Sequence, residues 1–306
     1  TLSTATTALN NTALGYNAMA DVKAAVAVDG CVAIGYGALI GNSSNTTGIN
    51  NTIAIGVSAL GALTSGANNL AIGKSAMSTM TTGPQNIAIG EDAMKENITG
   101  ESNIAIGFGA MDGTQAGGSQ STSAGSGHNV FIGLSSGGGA WTDVASNFNV
   151  GVGNYTMDAI MNGALNNTAV GHASLSSLTT GDGNVTMGFE AGNDLTTGGG
   201  NVIIGYKAGD GTTAVGLSVL IGQEAGRADM TTASNGTIAI GFEALKTQST
   251  GAGNIAIGYQ ALKEHTSGGR NIAIGYGSMD GTGGDVDDAP ASIDNIFIGY
   301  ERYFTC

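Results

Sequence analysis

The chain has 306 residues, among them 54 Gly, 2 Pro and 2 Cys, and 10% are charged. Glycine at more than twice its usual share of about 7% excludes an ordinary globular domain. The absence of a Gly-X-Y period excludes collagen, and the 41% hydrophobic content excludes a disordered polar chain. The formal charge of −14, from 23 acidic and 9 basic residues, excludes a basic face for nucleic acid or anionic lipid.

From the first residues onward one phrase returns sixteen times. Its anchors are Gly15, Gly35, Gly56, Gly73, Gly90, Gly107, Gly133, Gly153, Gly171, Gly188, Gly205, Gly222, Gly241, Gly258, Gly275 and Gly299. Eight of the fifteen intervals are 17 residues, and the others, 18 to 26, read as insertions into that unit. A fixed period of this length predicts an all-β solenoid, a β-roll or β-helix, with one unit per coil. Sixteen coils at about 4.8 Å each would give a rod of about 75 Å. The repetitive shaft spans 1–299, and 300–306 form its C-terminal end or a processing boundary. The chain opens at Thr1 with no signal-peptide pattern, as a fragment or processed product does. No apolar run reaches the 18 or so residues of a membrane span, so membrane insertion is not expected.

The first copies already vary. Cys31 stands where most copies have Asn, and a lone Cys there is expected to be a small buried residue. Two cysteines, Cys31 and Cys306, are too few for a disulfide framework. A clean unit follows at Asn86-Ile87-Ala88-Ile89-Gly90, then Ala93-Met94 and Thr99-Gly100. The residue before each anchor is always Ile, Val, Leu or Met, and the one two places earlier is nearly always apolar, so both share one face of a strand. Between them lies a small residue, usually Ala. The reading is that the large face fills the coil and the Ala face packs on another chain, which predicts an oligomer. On that reading Ile89 and Ile257 point inward, and Glu91 and Gln260 lie at variable outward positions. A second short strand is expected after the anchor glycine, then a Thr-Thr-Gly turn. Asn86, Asn254 and Asn271 open strands that end at Gly90, Gly258 and Gly275, with Ile89, Ile257 and Ile274 just before the glycines. Stacked Asn side chains are expected to satisfy turn backbone groups.

Midway, residues 112–128 depart from the period, and 280–295 do so near the end. Both begin with Met-Asp-Gly-Thr, at Met111 and Met279, so both are expected to leave the solenoid at one corner. Insertions in solenoids map to loops that often bind. Candidate receptor-contact residues are therefore Asp112, Gln115, Ser119 and Gln120 in the first, and Asp285, Asp287 and Asp288 in the second. Asp280, Asp285, Asp287 and Asp288 are hard oxygen donors suited to Ca²⁺, although their spacing matches no EF-hand. Otherwise no cofactor is expected. Nine copies carry Tyr or Phe after the anchor, a stripe that predicts stacked ladders or a track for sugars. His128, His172 and His265 fall in different repeats and are expected to be structural or exposed. Acidic residues are scattered through variable positions with no pocket to tune a pair, and no P-loop Lys follows the Gly-rich strings. The chain is therefore not read as an enzyme.

The phrase Asn-x-Ala-Ile-Gly-x-x-Ala resembles the head repeats of trimeric autotransporter adhesins. The longer Ala-Gly-x-x-Leu-Thr-Thr-Gly-x-x-Asn-x-x-Ile-Gly-Tyr-x-Ala-Gly at 191–209 more closely resembles bacteriophage tail-fibre and tail-spike proteins. The resemblance covers nearly the whole chain. It implies a parallel homotrimer of β-rolls or an intertwined β-helix, located in a virion tail fibre, with a bacterial cell surface as the alternative. It also implies attachment to a host-surface glycan or protein receptor, and the end at Tyr303-Phe304-Thr305-Cys306 suits loss of a chaperone domain. A fibre-borne polysaccharide depolymerase is the remaining class.

Overall fold

A computed structural model describes residues 10–22, 28–41, 46–113, 125–142, 144–280 and 293–300. The fold is all-β, a parallel β-solenoid. Sixteen three-residue strands, β1 (Thr12–Leu14) to β16 (Ile296–Ile298), each end at the residue before an anchor glycine. The chain divides into two compact units, Thr1–Ala164 with β1–β8 and Leu165–Cys306 with β9–β16. Within each unit successive strands pair in parallel and in register. In the first, Ile87, Ala88 and Ile89 of β5 (Ile87–Ile89) face Ile104, Ala105 and Ile106 of β6 (Ile104–Ile106). In the second, Ile255 and Ile257 of β14 (Ile255–Ile257) face Ile272 and Ile274 of β15 (Ile272–Ile274).

The expected orientation of the strand is reversed. Ala33, Ala54, Ala71, Ala88, Ala105, Ala239, Ala256 and Ala273 are fully buried inside the coil, while the Ile and Val on either side are only half-buried and face outward. Ile89, Ile257 and Ile274 therefore line an outer surface. Alternation with period two separates two faces but does not say which is inside. The narrow interior of a 17-residue coil decides it. That space already holds the Leu and Met four residues after the anchor, including Leu39, Leu60, Met77, Met94 and Met111, all fully buried, and it leaves the strand room for a methyl group.

Among the described residues no second strand follows the glycine. After Gly90 come three linked turns: Ala93 N–H donates to Gly90 O (3.4 Å), Lys95 N–H to Asp92 O (3.2 Å) and Asn97 N–H to Met94 O (3.3 Å). Gly90, Asp92 and Met94 have φ of 140°, 59° and 51°. Left-handed residues at alternate positions cannot continue an extended strand. The backbone groups instead bond to adjacent coils. Met94 N–H donates to Ala110 O at 2.9 Å and Asp92 N–H to Lys74 O at 3.0 Å.

Coil interiors are filled by complementary pairs. Where the fourth residue after the anchor is Leu or Met, the central strand residue is Ala or Gly: Ala88 with Met94, Gly151 with Met157, Ala169 with Leu175, Ala256 with Leu262. Where that residue is Gly, the central one is larger: Phe131 with Gly137, Thr186 with Gly192, Ile203 with Gly209, Leu220 with Gly226. The partners touch. A Cβ on Gly137 would lie 2.8 Å from the Phe131 ring, and one on Gly226 2.7 Å from Leu220 Cδ2.

A column of Asn side chains seals one edge of the interior. Asn86 Oδ1 accepts from Asn103 N–H (2.9 Å) and Asn103 Nδ2 (3.2 Å), while Asn86 Nδ2 donates to Gly100 O (2.8 Å). The pattern continues through Asn103, Asn129 and Asn149 in the first unit. In the second it joins Asn167, Asn184 and Asn201, and again Asn254, Asn271 and Asn295. Ser218 keeps the relay where it replaces Asn, accepting from Thr237 N–H at 3.1 Å. Cys31 occupies the same column, buried and free, its Sγ 3.2 Å from Ile49 O.

Candidate functional site

Two surfaces carry the chemistry that the repeat leaves variable: the corner that holds Asp112 and Asp280, and the sheet face with its aromatic column. At the corner, Asp112 and Asp280 hold the same position, five residues after Gly107 and Gly275, and both are half-buried. Gln115, Ser119, Gln120, Asp285, Asp287 and Asp288 lie outside the described residues. In the first unit that column runs Asp112, Gly138, Asp158. Gly138 has no side chain, and a Cβ there would lie 3.2 Å from Asp158 Oδ1. Burial pushes the Asp112 carboxyl up to about 6, assisted by the charges of Glu96 and Asp92 and opposed by Lys95. Burial also lifts Asp158 to about 6, with the charge of Asp112 adding to it. The structure thus sets two half-buried carboxyls of raised pKa on either side of a glycine notch. Sequence reasoning singled out Asp112 and missed Asp158. Its signal was the shared offset of five from the anchor.

Asp280, in the second unit, is also shifted upward by burial, with Lys263 opposing. Its Oδ1 is buried without a hydrogen-bond partner among the described residues. No group of three or more His, Cys, Asp or Glu side chains comes together among the described residues. His128 stacks on Phe148 at 5.1 Å and lies 3.7 Å from Glu101, while His172 stacks on Phe189 at 5.2 Å. His265 is buried with Nε2 3.1 Å from Gly268 O, and burial lowers its pKa.

Acidic residues of the second unit form an ordered ladder. Lys207 lies 2.7 Å from Glu190, and Arg227 lies 3.1 Å from Glu224 and 3.8 Å from Asp210. Lys246 bridges Glu224 (2.8 Å) and Glu243 (2.6 Å), and Lys263 is 3.1 Å from Glu243. Gln260 donates to Glu243 at 2.7 Å, and in the first unit Glu91 pairs with Lys74 at 2.6 Å, so both variable positions carry contacts. Burial alone would raise the Glu243 carboxyl. Hydrogen bonds from Lys246, Gln260 and Lys263 outweigh it and hold the group at about 2.

The aromatic column stacks ring on ring. Phe242, Tyr259, Tyr276 and Tyr300 follow one another at centroid distances of 5.1, 4.7 and 5.2 Å. His172, Phe189 and Tyr206 do the same at 5.2 and 5.4 Å, and Tyr16 meets Tyr36 at 5.5 Å. A sugar ring cannot enter a 5 Å stack, so the ring faces turned towards one another within these stacks are closed to it. That geometry favours the ladder over the sugar track.

The sequence matches no protein-family model and is similar to no curated protein.

Proposed function

We propose that this chain is the shaft or receptor-contact region of a phage tail fibre, a structural protein that acts by binding rather than catalysis. The observation that carries the reading is the repetition of the strand: within each unit every coil pairs in parallel and in register with the next, so each unit extends along one axis. Such a scaffold suits spacing and display. The departures from the period, at 112–128 and 280–295, begin at equivalent positions, Asp112 and Asp280, and on this reading supply the variable surface for a host-cell glycan or protein receptor. The working form is a homotrimer outside the cell, on the virion. Three copies present each insertion three times, which converts weak single contacts into avidity.

The test has two arms. Sedimentation of the full chain is expected to give about 90 kDa, three times the 30.0 kDa protomer. Fluorescent protein is expected to bind a bacterial strain saturably, and shortening each insertion to the 17-residue unit is expected to abolish that binding while the assembly survives. Unchanged binding by both shortened proteins would move recognition away from the corner. Release of sugar from purified surface polysaccharide would replace the binding reading with the depolymerase.

A further inference from the structure

Each strand directs its first and third residues outward. Sixteen strands give 32 such positions, and all but Thr12 and Thr168 are Val, Ile, Leu or Met. None is charged. Twenty-four of them are half-buried and eight are exposed, among them Met187 at 50% and Ile132 at 37%. The columns on either side, at the aromatic position and two residues before each strand, carry four Asp, Glu, Lys or Arg side chains, and these cancel in pairs. Lys74 meets Glu91 at 2.6 Å and Arg270 meets Asp294 at 2.5 Å. Among the described residues, the remaining charged side chains lie outside these columns.

We propose that the outward aliphatic face of the sheet is the seam along which copies of this chain associate. The inference rests on the assembly reading above and names its surface, which is the Ile/Val face and not the Ala face. Eight strands about 4.8 Å apart, each with two outward positions that take up about 6.8 Å of strand apiece, give roughly 500 Å² in each unit. Two such faces closing on each other would bury about 1,000 Å² in total for each unit, the size at which a specific interface begins. Period argues for self-association. An occupant that fills the columns along eight coils must repeat every coil. A helix, with a pitch of about 5.4 Å, loses step within a few turns. A second copy in parallel register keeps it throughout, and two β-branched surfaces of equal spacing interdigitate without water.

The fold itself indicates a mild variant, because Thr already occupies the outward column at positions 12 and 168. The full chain is compared with Ile240→Thr/Ile257→Thr, with Ile240→Lys/Ile257→Lys, and with Thr197→Lys on an exposed turn away from the sheet face, by sedimentation over a dilution series with circular dichroism on each sample. The native chain and Thr197→Lys are expected to assemble alike. The Lys pair is expected to weaken association by about a hundredfold or more and the Thr pair by about tenfold, with the β spectrum retained. If the Lys pair does not fold, the Thr pair decides. Assembly unchanged in every folded variant would overturn the seam and leave the fibre reading standing. A native dimer that the Thr or Lys pair dissociates would uphold the seam and overturn the trimer. A native monomer would overturn both, and its co-sedimentation with phosphatidylcholine vesicles would show the face to be a lipid-binding surface instead.

Discussion

At the scale of single residues, Gly90 and Gly183 separate two demands that glycine meets. A Cβ on Gly90 would sit 2.2 Å from the carbonyl oxygen of Gly107, and φ is 140°, a region closed to other residues. Gly90→Ala is therefore expected to cost about 3 kcal/mol or more. Gly183 has φ of 68° and open space beyond it, so Gly183→Ala should cost only about 1 kcal/mol. Chemical denaturation of the two variants checks the contrast, and equal losses would remove the steric column as its cause. Asn86 is the polar counterpart. Asn86→Ala strands the buried backbone N–H of Asn103, takes one of two acceptors from its side-chain amide and removes a donor from the carbonyl of Gly100, at an expected cost of about 2 to 4 kcal/mol by the same measurement.

Within one coil, the size exchange between the strand centre and the residue six places on is a test of packing. Leu220→Ala is expected to cost about 2 to 4 kcal/mol by opening a cavity, and Gly226→Leu about 1 to 3 kcal/mol by overfilling it. The backbone at Gly226 accepts Leu, since Gly226 at φ 57° matches Leu262 at 52°. The double variant restores the arrangement of Ala256 with Leu262. It is expected to recover most of both losses, and additive losses in a denaturation cycle would show that the pair does not share one space. This exchange was legible in the sequence, since Phe131, Thr186, Ile203 and Leu220 are the larger central residues that precede a glycine at that offset. The strand positions and their register were legible too, because every anchor glycine ends a strand. Orientation was not. The triplet Ile-Ala-Ile reads alike from either side, and only the volume enclosed by 17 residues decides that Ala88 is inside and Ile89 outside. The turn run after Gly90 was hidden for a related reason: Asp92 and Met94 adopt left-handed angles that no residue type there announces. At the corner, Asp112 was found from the insertion it begins, whereas Asp158 lies in a coil of ordinary appearance and gains its character from burial, with the charge of Asp112 two coils away adding to it.

Across the whole molecule, acid acts with opposite sign on two sets of carboxylates. Asp112 and Asp158, in the first unit, titrate at about 6 when folded against 3.8 for a free carboxyl. The folded state holds more protons between those values, so their contribution to stability grows as pH falls from 7 towards 4. Asp158→Asn is expected to flatten that rise and, after screening of a half-buried group, to stabilise the protein at pH 7 by about 1 kcal/mol. Glu243, in the second unit, titrates at about 2 against 4.5. Its contribution is complete above 4.5 and is lost as pH falls through 2, and Glu243→Gln is expected to remove it. Melting temperature against pH for the two variants checks both signs, and parallel curves would sink the assignment. The pairing of large and small residues inside a coil has a consequence for how such a gene changes. Partners such as Leu220 and Gly226 lie six residues apart in one 17-residue unit. Gain or loss of seventeen codons by slippage between copies carries both partners together, so length can drift from one generation to the next while every remaining interior stays filled.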